Sequence, residues 1–169
     1  MTRVFATIVA SAALLACSAG EAPPSTGTYT INFPSTAAAV ATDQVQLLVF
    51  DIRKPEDRPT LCLDLITARK RGDTLRPSVN PPAAPVNICE LSAGKKPIQI
   101  PYGDKAILAI AQRKDRNDQL QDFMLGCIIQ TIGDGPAPEP ISMSIISVAQ
   151  PVPDTQCGSV SEFCQGRCQ

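Results

Sequence analysis

The chain has 169 residues, and its 15 Lys and Arg nearly balance 16 Asp and Glu, for a formal charge of −1. Such a surface sets up no strong positive field, so nucleic acid is excluded as an expected partner. Histidine is absent, which excludes a Ser-His-Asp triad, a Cys-His dyad and any imidazole metal ligand, and leaves acid–base work to carboxylates, Lys or Tyr.

The chain opens with "MTRVFATIVASAALLAC". Arg3 supplies a positive start, and Val4 to Ala13 form an apolar run broken only by Thr7 and Ser11. That run is too short for a permanent membrane span of about 20 apolar residues and suits the hydrophobic region of an export signal. Leu14-Leu15-Ala16-Cys17 then resembles the lipobox of bacterial lipoproteins. The resemblance implies that the Cys17 thiol receives a diacylglyceryl group and that cleavage occurs just before it. Thiol chemistry suits the alkylation. Several buried acyl chains would hold the protein on a membrane, each buried CH2 contributing roughly 0.8 kcal/mol. Ser18 follows where an Asp would favour inner-membrane retention in enteric bacteria, so the resemblance implies the outer membrane.

Residues 1–16 thus read as signal peptide and 17–26 as a lipidated tether, whose "SAGEAPPST" is small, polar and Pro-containing. The expected folded domain covers residues 27–150. "GTYTINF" alternates Tyr29, Ile31 and Phe33 with polar residues, the period of a half-buried strand. Ala37 to Gln44 has room for a turn of helix. "VQLLVFDI", Val45 to Ile52, reads as a central strand, and "TLCLDLI", Thr60 to Ile66, as another with Leu61, Leu63 and Leu65 on one face. Pro77, Pro81, Pro82 and Pro85 then mark a surface excursion, followed by "VNICEL" as a short edge strand. "KPIQIPYG", "KAILAIAQR", "LQDFMLGCIIQTI" and "PISMSIISV" complete a set of about seven strands. The expected fold is an all-β antiparallel sandwich. Residues 151–169 form a Cys-rich tail.

The segments "LVFDI", "IPYGDKAILAIA" and "LGC", with a cysteine between the first two, resemble secreted lipoproteins of myxobacterial type, over about residues 27 to 148. The resemblance implies an envelope location and an immunoglobulin-like or prealbumin-like sandwich. It carries over no catalytic residue.

Beyond Cys17, six cysteines remain: Cys62, Cys89, Cys127, Cys157, Cys164 and Cys168. An even set in an exported chain favours disulfides, and six cysteines allow 15 connectivities. Joining Cys62 to Cys89 would close the base of the Pro-rich excursion. Cys127 would then pair with one tail cysteine, and the other two tail cysteines would close a small ring. The alternative pairs Cys62 with Cys127 across two sheets. A structural zinc site wants two tight cysteine pairs, whereas the tail is spaced Cys-x6-Cys-x3-Cys, so no metal or redox centre is expected.

Three further motifs have bland readings. Arg71-Gly72-Asp73 matches an integrin-type tripeptide, but one this short arises by chance. Arg69, Lys70, Arg71 and Arg76 form a small basic cluster able to lie on anionic lipid or simply in solvent. Asp115, Asn117, Asp118 and Asp122 could offer oxygen ligands to Ca2+, or form a polar hairpin tip. Asp51, Asp64, Glu90 and Asp104 are scattered singly, so their spacing shows no acid–base pair.

The expected function is therefore a non-catalytic binding or structural module, free of cofactor, held at the bacterial envelope through its lipid. Its expected partner is an envelope protein or a surface glycan. A hydrolase using carboxylate or Ser chemistry is the alternative, as is a glycan-binding or adhesion module. With Tyr29 and Tyr102 the only tyrosines and no tryptophan, stacking on sugars is poorly served.

Overall fold

A computed structural model describes residues 26–27, 29–79, 84–94, 100–134, 139–146 and 151–168. The signal, Cys17 and nearly all of the tether fall outside the described residues.

Three long strands build the centre: β3 (Gln44–Asp51), β6 (Gly103–Lys114) and β7 (Leu120–Ile132). Short strands flank them, β4 (Val86–Asn87) beside β3 and β9 (Ser144–Ile145) beside β7. The result is one five-stranded antiparallel sheet in the order β4-β3-β6-β7-β9. Two small pairs lie apart from it. β1 (Thr26–Gly27) runs antiparallel to β5 (Ile100–Pro101), and β2 (Ile31–Asn32) runs parallel to β8 (Ile141–Ser142).

Strand β6 explains the layering. Every residue from Lys105 to Ala111 is buried. Side chains alternate between faces along a strand, so a strand buried throughout must be covered on both sides. Ile107, Ala109 and Ala111 enter one core with Val45, Leu47, Val49, Met124 and Ile141. Ala106, Leu108 and Ile110 enter another with Leu48, Phe50, Leu65 and Leu125. The described residues are mostly strand and antiparallel, as expected, but they form one main five-stranded sheet with a core on each face, and a seven-strand sandwich is not seen among them.

Helices supply part of that cover, which corrects the all-β expectation. The segment read as a strand over Thr60–Ile66 is the start of α2 (Leu61–Lys70). Leu61, Leu65 and Ile66 face the second core, while Leu63 stands 67% exposed. The alternation of three leucines imitates period two, but their burial follows helical spacing. Asp64 in the first turn and Arg69 and Lys70 in the last complement the helix dipole. "VNICEL", expected as an edge strand, holds only β4 before turning into α3 (Ile88–Ser92), capped by Asn87, whose side chain accepts from the Cys89 N–H at 2.8 Å. The segment Ala37–Gln44 contributes most of α1 (Thr36–Val40), capped by Ser35. The tail holds α4 (Val160–Cys164), which begins with Ser159 and Glu162 in a capping-box spacing.

A β-bulge between β6 and β7 sets the direction of Asp122. Ala111 pairs with Met124, yet Gln112 pairs with Asp122, leaving Phe123 as an extra residue. Phe123 and Met124 both enter the first core, fully buried. The slip turns Asp122 to the opposite face, toward α2.

Candidate functional site

Two groups of polar side chains stand out on the sheet. The first is a row across three adjacent strands: Asp51 of β3 lies opposite Lys105 of β6, and Lys105 lies opposite Gln130 of β7. Lys105 and Gln130 are only 8% and 9% exposed. The Lys105 ammonium donates to the Asp51 carboxylate. That hydrogen bond holds the Asp51 carboxyl below its ordinary range, against the opposing effect of partial burial. Among the described residues Gln130 has no such partner, and neither Nε2 nor Oε1 of its buried amide makes a hydrogen bond with them. A buried polar group left unpaired costs about 1–3 kcal/mol.

The second group is a chain of four side chains on the α2 face. Gln44 Nε2 donates to Gln112 Oε1 at 2.8 Å, and Gln112 Nε2 donates to Asp122 Oδ1 at 2.9 Å. Arg69 closes the chain from α2, with Nε donating to Asp122 Oδ2 at 2.6 Å and a terminal nitrogen to Oδ1 at 2.9 Å. This is a two-pronged guanidinium–carboxylate contact. Burial pushes the Asp122 carboxyl up. The hydrogen bonds from Arg69 and Gln112 and the charge of Arg69 outweigh it, so the group ends below its ordinary range. The bulge and the helix together make this contact. Spacing in the sequence signals neither, because Arg69 and Asp122 are 53 residues apart.

The other motifs resolve into local structure. Arg71-Gly72-Asp73 ends α2. Gly72 sits at φ 79, its N–H donates to the Arg69 carbonyl, and the Asp73 N–H reaches back to Ala68. This is a Schellman termination, whose left-handed position favours glycine. Arg71 and Asp73 pair with each other at 2.8 Å, so the tripeptide closes on itself. Asp115 Oδ1 accepts from the Asn117 and Gln119 N–H groups, Asp118 pairs with Lys114, and Asp122 is held by Arg69. The expected hairpin tip is thus what these residues build, and no metal-ligand group of three occurs among the described residues. The four scattered carboxylates go to separate places: Asp51 to the end of β3, Asp64 and Glu90 to the first turns of α2 and α3, and Asp104 to the start of β6. Asp104 is held below its ordinary range first by the Thr131 hydroxyl and also by Arg58 at 3.3 Å.

The six cysteines form three disulfides. Cys62 joins Cys127, Cys89 joins Cys164, and Cys157 joins Cys168. The expected Cys62–Cys89 closure is corrected, because α2 presents Cys62 to β7 while Cys89 starts α3 beside the tail. The expected bond from Cys127 to a tail cysteine is corrected with it. The alternative partner for Cys62 is the one found, though the bond ties a helix to the sheet instead of sheet to sheet. Two tail cysteines do close a small ring, 11 residues in separation. The third, Cys164, ties α4 to α3, and Val152, Val160 and Phe163 pack against the first core.

Among the described residues no helix is long and apolar enough to cross a membrane. Comparison of the chain with protein-family models, with curated proteins and with solved structures finds no match to any of them.

Proposed function

We propose that the chain is an exported lipoprotein, anchored to the bacterial envelope through Cys17, that acts there as a non-catalytic binding or structural module. The observation that carries this reading is the use of every cysteine after Cys17 in a disulfide. Disulfides persist in oxidising compartments and are rare in reducing ones. Export followed by acylation of Cys17 would leave six thiols, an even set that pairs completely. The lipobox-like Leu14-Leu15-Ala16-Cys17 supplies the anchor, and Ser18 favours the outer membrane.

The non-catalytic part of the proposal rests on what the polar groups do. Ser35 and Ser159 cap helices, Ser78 caps the edge of β3, and the carboxylates hold lysine, arginine or backbone groups. For binding, the sheet offers an edge. β9 pairs with β7 only at Met124 and Leu125, and no described strand pairs with the outer side of β7 from Gly126 to Ile132. An extended segment of an envelope partner would add there through main-chain hydrogen bonds.

The test is metabolic labelling with radioactive palmitate. The wild-type chain takes up label and fractionates with membranes, and Cys17→Ala loses both. Unchanged labelling and membrane association in Cys17→Ala would overturn the proposal.

A further inference from the structure

The three disulfides interleave. Taken in chain order, the cysteines pair first with third, second with fifth, and fourth with sixth, so none bonds its neighbour in sequence. Loop closure favours the opposite. Cys164 lies 75 residues from its partner Cys89 but only seven from Cys157 and four from Cys168. With closure probability falling as the three-halves power of loop length, Cys157 captures Cys164 about 35-fold more readily than Cys89 does. Either short tail ring consumes the one thiol that must leave the tail. Cys62 has the same bias, about fourfold, toward Cys89 at 27 residues over Cys127 at 65. Emergence of the amino-terminal part first during export strengthens the second preference, because Cys89 is exposed before Cys127.

We propose that this chain is a substrate of a thiol–disulfide isomerase, whose task is to free Cys164 from the short tail rings so that it can reach Cys89. The proposal rests on the exported reading for where the enzyme acts, but its chemistry stands on the pairing alone. Consider a first-formed species with Cys62–Cys89, Cys157–Cys164 and Cys127–Cys168. An isomerase thiolate attacks the Cys157 sulfur, forming a mixed disulfide and expelling Cys164 as thiolate. Cys164 attacks Cys89, forming Cys89–Cys164 and expelling Cys62. Cys62 attacks Cys127, forming Cys62–Cys127 and expelling Cys168. Cys168 then attacks Cys157 of the mixed disulfide, forming Cys157–Cys168 and returning the enzyme thiolate. Each step breaks one S–S bond and makes one, with no net oxidation.

The experiment uses the full chain with Cys17→Ser, reduced in denaturant and diluted into mild detergent with diamide, an oxidant that leaves no thiol to catalyse exchange. In a second arm the diamide is removed and a purified, reduced dithiol isomerase is added, and disulfides are mapped by peptide mass spectrometry. With oxidant alone, Cys164 is expected mainly with Cys157 or Cys168; the isomerase then raises the three native pairs several-fold. In Cys157→Ser/Cys168→Ser, where no short ring can form, Cys89–Cys164 is expected to rise several-fold with oxidant alone. The proposal is overturned if native pairs dominate without isomerase, or if the double variant shows no rise. Because purified chain is used, loss of the palmitate result would sink the export reading and leave this result standing.

Discussion

Replacing a disulfide pair by alanines tests how the staples act. Cys62→Ala/Cys127→Ala opens a closure 65 residues in separation, whereas Cys157→Ala/Cys168→Ala opens one of 11. In the chain-entropy account a cross-link stabilises by restricting the unfolded chain, which gives about 4.3 kcal/mol for the longer closure and about 2.8 kcal/mol for the shorter. The difference, about 1.5 kcal/mol, comes only from the logarithm of loop length. In the native state Cys62 and Cys127 have neighbours that keep α2 in place: Leu61, Leu65 and Ile66 in the second core, and the Arg69–Asp122 contact. The first double variant is therefore expected to keep its native circular-dichroism spectrum while losing the larger stability in urea unfolding at neutral pH, with an unchanged slope on denaturant for the folded baseline. If the short-ring variant loses as much or more, the loss does not come from unfolded-state restriction. If the first variant loses its native spectrum, α2 is held by the covalent bond and not by packing.

Other perturbations bear on the packing and the polar groups. Asp122→Ala leaves the Arg69 guanidinium without its carboxylate and should cost about 2 kcal/mol in urea unfolding. Asp51 and Asp122 both titrate below their ordinary values, so their contribution is complete above the unfolded carboxylate value, near pH 4, and is lost as pH falls through the folded values. Unfolding free energies measured down the acid range should show that decline, and Asp122→Ala should flatten it. Gln130→Leu removes two buried unpaired atoms and should raise stability by about 1 kcal/mol; a loss of that size would mean that the amide has a partner. Gly126→Ala places a Cβ 2.6 Å from the Ser142 carbonyl oxygen, a backbone atom that cannot move cheaply. A cost of about 1–3 kcal/mol in thermal unfolding is expected.

What the sequence disclosed follows from the range of the forces involved. β3, β6 and β7 were legible because their apolar residues lie side by side in the chain, and β6 carries them on both faces. That same two-faced pattern in "AILAIA" was a signal for cover on both sides, which a sandwich with one core does not provide. Helix α2 reads as a strand because Leu61, Leu63 and Leu65 match period two over a window too short to reject it. Its better signals lay later, in Arg69-Lys70 followed by Gly72. The tail helix had a signal as well, Ser159 three residues before Glu162. The disulfide pairing and the Arg69–Asp122 contact had none, because each joins residues brought together only by the completed sheet. The bulge at Phe123 decides which face Asp122 takes, and it depends on how two strands meet and not on either alone.

Intact-mass analysis of the chain extracted from membranes, alkylated before and after reduction, bears most directly on an exported, lipid-anchored, fully stapled module. The expected result is a chain beginning at Cys17 that carries the mass of its acyl groups, takes up no alkylating agent before reduction, and takes up six equivalents after it. A chain that retains residues 1–16 without acyl mass, or one whose six thiols react without reduction, would contradict it.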